Sequence, residues 1–194
     1  MMMPNKVIET PFTAVVPSPV VMVSCKGKEL DSKPNIITLA WVGIVCSKPP
    51  MVGISIRPKR YSYLLIKESG EFVVNIPNEK LLAATDYCGQ VSGKQVDKFA
   101  MTKLTPGPCD KVAAPMINEC PVNLECKVTQ IIPVGAHHLF LGEIVAVHID
   151  EAIKGNKAMD IGKLAPIAYC SGSSDYWGLK GPLGKYGFAK SAFD

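Results

Sequence analysis

Arg57, Lys59, Arg60, Tyr61 and Ser62 combine three cations with two hydroxyls directly after an apolar run. Those are the donors an anionic group needs, and hydrogen bonds to charged groups contribute roughly 1.5–3 kcal/mol each. Upstream lies a second apolar run, from Asn35 through Ile36-Ile37-Thr38-Leu39-Ala40-Trp41 to Cys46-Ser47, closed by a Lys48-Pro49-Pro50 corner. Apolar strands that end in a cluster of cations and hydroxyls suit a ligand with a flat body and an anionic tail.

Other chemistries find less support. The seven cysteines include no C-x-x-C pair and no metal-ligand spacing, so no metal site is expected and the thiols read as reduced, as in a cytoplasm. There is no G-x-G-x-x-G for a dinucleotide fold, and Asp86, Asp97 and Asp175 do not form a carboxylate pair. The net charge of +4 is spread along the chain without the dense basic patch of a nucleic-acid binder. Ile36 to Cys46 is far short of the ~20 apolar residues of a membrane span, and Met1 to Lys6 does not lead into a signal peptide.

At 194 residues, 47% of them hydrophobic and 20% charged, the chain has the makings of one domain with a substantial core. Its mean hydropathy of +0.18 is high for a monomer, which points to apolar surface covered by a ligand or a second subunit. Val- and Ile-rich segments bounded by Gly and Pro predict strands at Pro19–Cys25, Ile36–Cys46, Val52–Arg57, Glu71–Ile76, Val122–Ile132, Leu139–Ile149 and Ala165–Tyr169. Two short helices are expected. One follows Asn78 and carries Leu81, Leu82 and Ala84 towards Cys88; the other runs from about Lys94 through Phe99. Residues 1–170 read as the domain, and 171–194 as a loop-like C-terminal extension.

The run Ile36–Cys46 does not alternate. As one strand it would put Thr38, Ala40, Val42, Ile44 and Cys46 on one face and Ile37, Leu39, Trp41 and Val45 on the other. Neither face suits water, so a homodimer is the economical expectation, with a helix of the same chain as the alternative cover.

These residues carry a family resemblance. Asn35-x-x-Thr38-x-Ala40-Trp41, Ser47-x-Pro49-Pro50, Ile54-x-Ile56-Arg57-x-x-Arg60-x-Ser62 and Gly70-Glu71-Phe72-Val73-Val74-Asn75 come first. Cys88-Gly89-x-x-Ser92-Gly93-Lys94-x-x-Asp97-Lys98-Phe99, Leu124-Glu125-Cys126-Lys127 and Gly135-x-His137-x-Leu139-Phe140-x-Gly142-Glu143 follow in order. Together they resemble the flavin reductase-like FMN-binding split-barrel family, in particular its flavoredoxin-type branch. The resemblance implies a mainly β fold, a six-stranded antiparallel Greek-key barrel with flanking short helices. It also implies a homodimer and noncovalent FMN near the subunit interface.

Carried over residue by residue, the resemblance places Arg57, Arg60, Ser62 and Lys98 near the FMN phosphate, with Ser92 and Lys94 as weaker candidates. Asn35, Thr38, Ala40, Cys46 and Ser47 would face the ring, and Trp41, Tyr61 and Asn75 stand in the same matched segments. Cys46 reads as a small polarizable neighbour of the ring, since no base is identifiable for it. His137 would lie near the flavin or nicotinamide and orient the hydride donor, because hydride transfer needs alignment more than proton chemistry. Ala136 and His138 depart from the family pattern there. The C-terminal segment Trp177 to Gly187 resembles the flavoredoxin-type branch.

Two functions fit. One is an NADH- or NADPH-dependent flavin reductase; the other is an electron carrier with tightly bound FMN that exchanges electrons with a donor or acceptor protein. A flavin-binding module without catalysis is a third.

Overall fold

The computed structural model of the chain describes residues 5–155 and 158–187. In chain order the strands are β1 (Ser18–Pro19), β2 (Val21–Cys25), β3 (Asn35–Leu39), β4 (Val42–Ser47), β5 (Pro50–Ile56) and β6 (Glu71–Ile76). They continue as β7 (Pro106–Gly107), β8 (Met116–Ile117), β9 (Val122–Pro133), β10 (His138–Ile149), β11 (Ile167–Cys170) and β12 (Asp175–Gly178). The α-helices are α1 (Tyr61–Ser69), α2 (Leu82–Gln90), α3 (Lys98–Thr102) and α4 (Ile161–Leu164).

Seven strands make one antiparallel sheet in the order β3-β2-β6-β9-β10-β5-β4. Its two edge strands, β3 and β4, are consecutive in the chain and separated only by Ala40 and Trp41. A flat sheet of this width would hold its edges about 28 Å apart, whereas three peptide steps reach about 11 Å. The sheet therefore has to roll until its edges meet. A hydrogen bond of 2.9 Å from the Ser55 N–H to the Trp41 carbonyl ties the corner to β5. The product is an antiparallel barrel with a seam between β3 and β5.

This geometry corrects one expectation. Ile36–Cys46 is not one strand but two, broken at Ala40-Trp41, which brings the sheet to seven strands. Another difference is α1, for which the sequence pattern predicts no helix. Its start adjoins the cation cluster, while Tyr63, Leu65 and Ile66 pack inward and Gly70, with φ of 71°, ends the helix in the left-handed conformation. The expected helix after Asn78 is present: the Asn78 side chain accepts from the Lys80 N–H, and a 3-10 turn leads into α2. The second begins later than expected, at Lys98, because the Asp97 carboxylate caps it by accepting from Ala100 N–H.

Val21, Val23, Val52, Ile54, Ile56, Phe72, Val74 and Phe140 fill the barrel. Each large apolar side chain so buried stabilises the fold by about 1.5–3 kcal/mol. Gly142 sits at a register shift in β10, where a Cβ would come within 2.5 Å of the Phe72 ring. A side chain there would displace one of the two fully buried phenylalanines of the core.

The second, smaller sheet runs β1-β11-β12, so the chain crosses between sheets at Val20 within the expected strand Pro19–Cys25. The extension expected from Ser171 therefore begins as a hairpin strand, Asp175–Gly178; its last residues, 188–194, lie outside the described residues.

Candidate functional site

Three neighbouring cavities, all walled in part by Gly89, follow the seam and the N-terminus of α1. The first, about 150 Å³, is lined by Asn35, Lys59, Arg60, Tyr61, Ser62, Ser92, Gly93 and Lys98 among others. Arg60 holds the N-cap position of α1 and no side chain caps the first turn. An uncapped helix start carries unsatisfied N–H groups and partial positive charge, which suits an anion. Ser62 is buried, and its hydroxyl accepts a 2.8 Å hydrogen bond from the Asn35 amide. A side chain at Gly93 would collide with that same amide.

Lys98 lines this cavity but is only partly free. Its buried ammonium donates to the carbonyls of Ile36 (2.6 Å) and Cys88 (2.7 Å), tying β3 to α2. Burial lowers its pKa from the ordinary lysine value, and two of its three protons are committed.

The second cavity, about 300 Å³, straddles the seam. Ile37, Thr38, Leu39, Ala40 and Trp41 form one wall, and Ser55, Ile56, Arg57, Arg60, His137 and Tyr169 complete it. The Arg57 Nε–H donates to His137 Nε2 at 3.3 Å. Burial, and then the Arg57 charge, hold the imidazole below its ordinary pKa, so it is neutral at pH 7 with Nε2 as acceptor. The Thr38 hydroxyl is taken up by the Thr85 carbonyl at 2.5 Å. Thr38 therefore braces β3 against α2 and leaves the cavity wall largely apolar.

A third cavity, about 340 Å³, continues past Thr38, Ala40, Gly89 and Tyr169 to Asp86, Gln90 and Tyr176. The Tyr176 hydroxyl donates to Asp86 at 3.0 Å, and burial, with Asp86, pushes its pKa up to about 12. Nothing in the sequence groups Asp86, Tyr169 and Tyr176. They come together only because β12 folds back on β11 and places Tyr176 against Tyr169, with ring centroids 5.5 Å apart.

The structure thus gathers Asn35, Thr38, Ala40, Trp41, Arg57, Arg60, Tyr61, Ser62, Ser92, Lys98 and His137 along one trough. It does not bring in Cys46 and Ser47, which sit on β4; the Cys46 thiol donates to the Lys48 carbonyl. Asn75 is likewise elsewhere. Fully buried, it donates to Met22 and Val73 carbonyls and Ser24, and accepts from Ile117 N–H and Asn123. All its hydrogen-bonding capacity serves the fold.

All seven cysteines are free, and burial pushes the Cys25 and Cys126 thiols up to about 12 and Cys88 up to about 11. None of these three is a ready nucleophile. Among the described residues one trio of possible metal ligands, Asp110, Glu125 and His148, comes together. The Glu125 carboxylate already accepts from the N–H groups of Asp110, Lys111 and Val112 and from His148. Its lone pairs hold a loop, not a cation.

A barrel split along such a seam, with a cationic helix start at one end, is matched over residues 13–178 by the family model described as flavin reductase like domain, and the chain belongs to that family. Within it the chain falls in the flavoredoxin-type branch. It superposes on the flavoredoxin of Desulfovibrio vulgaris (Miyazaki F) with a TM-score of 0.89 and 35% identity, covering 96% of this chain and 100% of that one. The flavoredoxin of Methanosarcina acetivorans gives 0.86 and 31%, covering 97% and 100%. A protein of Archaeoglobus fulgidus is 41% identical over 125 residues, 64% of this chain and 71% of its own length. No helix among the described residues is long and apolar enough to cross a membrane.

Proposed function

We propose that this chain binds FMN in the trough and works as an NADH- or NADPH-dependent flavin reductase. The observation that carries the reading is that the first two cavities share Ile37, Arg60 and Gly89 as walls. An uncapped helix start with Arg60, Ser62 and Lys59 opens directly onto an apolar-walled slot beside Arg57 and His137. That donor set fits a phosphate at one end and a flat ring at the other. Three or four charge-assisted bonds approach the ~8 kcal/mol of micromolar binding, before desolvation and ordering subtract from it. FMN should therefore bind far more tightly than riboflavin, and equal affinities in a titration would remove the phosphate site.

Bound there, FMN supplies the ring that accepts a hydride. The protein's part is positioning and electrostatics. Arg57 offers guanidinium donors in the slot where negative charge would gather on reduction. His137, neutral and fixed by the Arg57 N–H, would orient the donor rather than give up a proton. His137→Ala should slow reduction by NADH or NADPH while FMN stays bound; unchanged reduction rates would end that role.

The flavoredoxin-type branch favours a second reading, an electron carrier reduced by a protein donor. Anaerobic addition of NADH or NADPH to the yellow protein separates the two. Rapid bleaching supports the reductase; bleaching only with a protein donor supports the carrier, and a colourless protein that takes up no FMN overturns both. A homodimer belongs to the same proposal. Ile44 and Val45 on β4 are 68% and 50% exposed, an apolar edge that a second copy would cover, and sedimentation at micromolar concentration would report it.

A further inference from the structure

His137 ends a turn, and the residue after it is held from the other face of the sheet. The turn 134–137 joins β9 to β10 and is closed by a hydrogen bond from the Val134 N–H to the His137 carbonyl (2.9 Å). β10 begins at His138, which pairs with Ile56 of β5, the residue before Arg57. Neighbouring side chains of an extended chain point to opposite faces. His137 accordingly reaches the trough and Arg57, while the His138 Nδ1 lies 2.9 Å from the Tyr63 hydroxyl of α1. Tyr63 is 6% exposed, and its ring meets His138 and Phe140 edge-on, with centroids 5.3 and 5.4 Å away. His138 is one of the two residues at which this turn departs from the family pattern.

The two bonds differ in what they can hold. The Arg57–His137 contact is 3.3 Å long and exposed, so it directs the imidazole without fixing the turn that carries it. The Tyr63–His138 bond is shorter, partly buried and flanked by two aromatic contacts. A hydrogen bond shielded from water in this way is the firmer anchor. Tyr63 also belongs to the first turn of α1, directly after Ser62 and three residues after Arg60. One bond therefore joins the helix turn assigned to the phosphate to the strand end assigned to the hydride donor. We propose that Tyr63 and His138 are a positioning pair, which holds His137 in place relative to a flavin anchored at the start of α1. Neither side chain lines the three cavities of the site, so the pair acts through His137 and not on the ligand. Hydride transfer depends steeply on alignment, which lets groups away from the reacting atoms govern the rate. This rests on the flavin reading of the trough and on the part of His137 in it.

Anaerobic stopped-flow reduction of the FMN-loaded protein by NADH and NADPH tests it, with a calorimetric titration of FMN on each variant. Tyr63→Phe keeps the aromatic packing and removes the bond. It should slow reduction about 3- to 10-fold, the worth of one hydrogen bond. The FMN Kd should stay within about twofold, which also shows that the variant is folded. His138→Leu should match Tyr63→Phe, whereas His138→Asn, with an amide where Nδ1 stood, should keep most of the rate. The decisive arm is the double variant. On the background of His137→Ala, Tyr63→Phe should slow reduction no further, because the pair works only through that histidine. Unchanged reduction in Tyr63→Phe, or the same fold-loss with and without His137, would overturn the inference while leaving the FMN site standing. Unchanged reduction in His137→Ala alone would instead end the role of that histidine, and the pair's with it. A protein that takes up no FMN, or whose FMN neither nucleotide reduces, would remove the reductase reading beneath both.

Discussion

Two charged regions of this protein are built in opposite ways. At Glu125 a carboxylate with no solvent exposure meets four N–H donors, from Asp110, Lys111, Val112 and His148, at 2.5–3.1 Å. At the start of α1 the charges of Lys59 and Arg60 are exposed, and the helix turn beside them has no side-chain cap. The first arrangement is closed and spends its polarity on holding the 110–112 turn to β9. The second leaves donors open to solvent, which makes a place for an anion. A buried charge fully satisfied belongs to the fold; a donor cluster left open belongs to a ligand.

The sharpest break of that contrast is Glu125→Ala. It strips a buried anion from three backbone N–H groups and His148, and should cost about 3–5 kcal/mol in urea unfolding, with its loss of FMN affinity following only from unfolding. Arg60→Ala should do the reverse. FMN affinity should fall about 10- to 100-fold in a titration, while unfolding shifts by no more than about 0.5 kcal/mol. Lys98 stands between the two regions, since its ammonium both braces two carbonyls and faces the phosphate cavity. Lys98→Met should lower stability by about 1–3 kcal/mol and weaken FMN by less than Arg60→Ala does. A variant of Lys98 that altered only one property would assign it to one region.

The smallest effect is acid sensitivity. Burial opposes the charge on Glu125, but the His148 hydrogen bond and the Asp110 and Lys111 amides offset it, so its pKa lies below the ordinary carboxylate value. A depressed carboxylate contributes stability that is fully present above its unfolded pKa of ~4.3 and is lost as the pH falls through the folded value. Stability measured downward from pH 5 should therefore decline, and Glu125→Gln should flatten that decline.

Much of this was legible in the sequence, for physical reasons that can be named. Strand periods and Gly/Pro punctuation marked the sheet, and the family resemblance named residues from Asn35 to Ser62 and on to Lys98 and His137 that the fold brings together along the trough. The break at Ala40-Trp41 was not visible, because two apolar strands joined by two apolar residues read as one. Helix α1 was hidden behind its own cations. Asn75 lies in a matched motif, but its side chain is turned into the core network of Ile117 and Asn123. Asp86 and Tyr176 are 90 residues apart, and only the β11–β12 hairpin makes them neighbours.

The seam between β3 and β5 carries one more consequence. β3 pairs only with β2, so along its other side the ladder is missing, and the Ser55–Trp41 hydrogen bond is the stitch that holds the corner there. A flavin lying in the trough would occupy the gap where a strand would otherwise pair. Binding should then act as a removable seam in the barrel, raising the unfolding free energy by about 2.7 kcal/mol at a hundredfold excess over Kd. Amide exchange would show where that gain is lodged, with slowing concentrated at residues 38–41 and 55–57 rather than spread through the barrel.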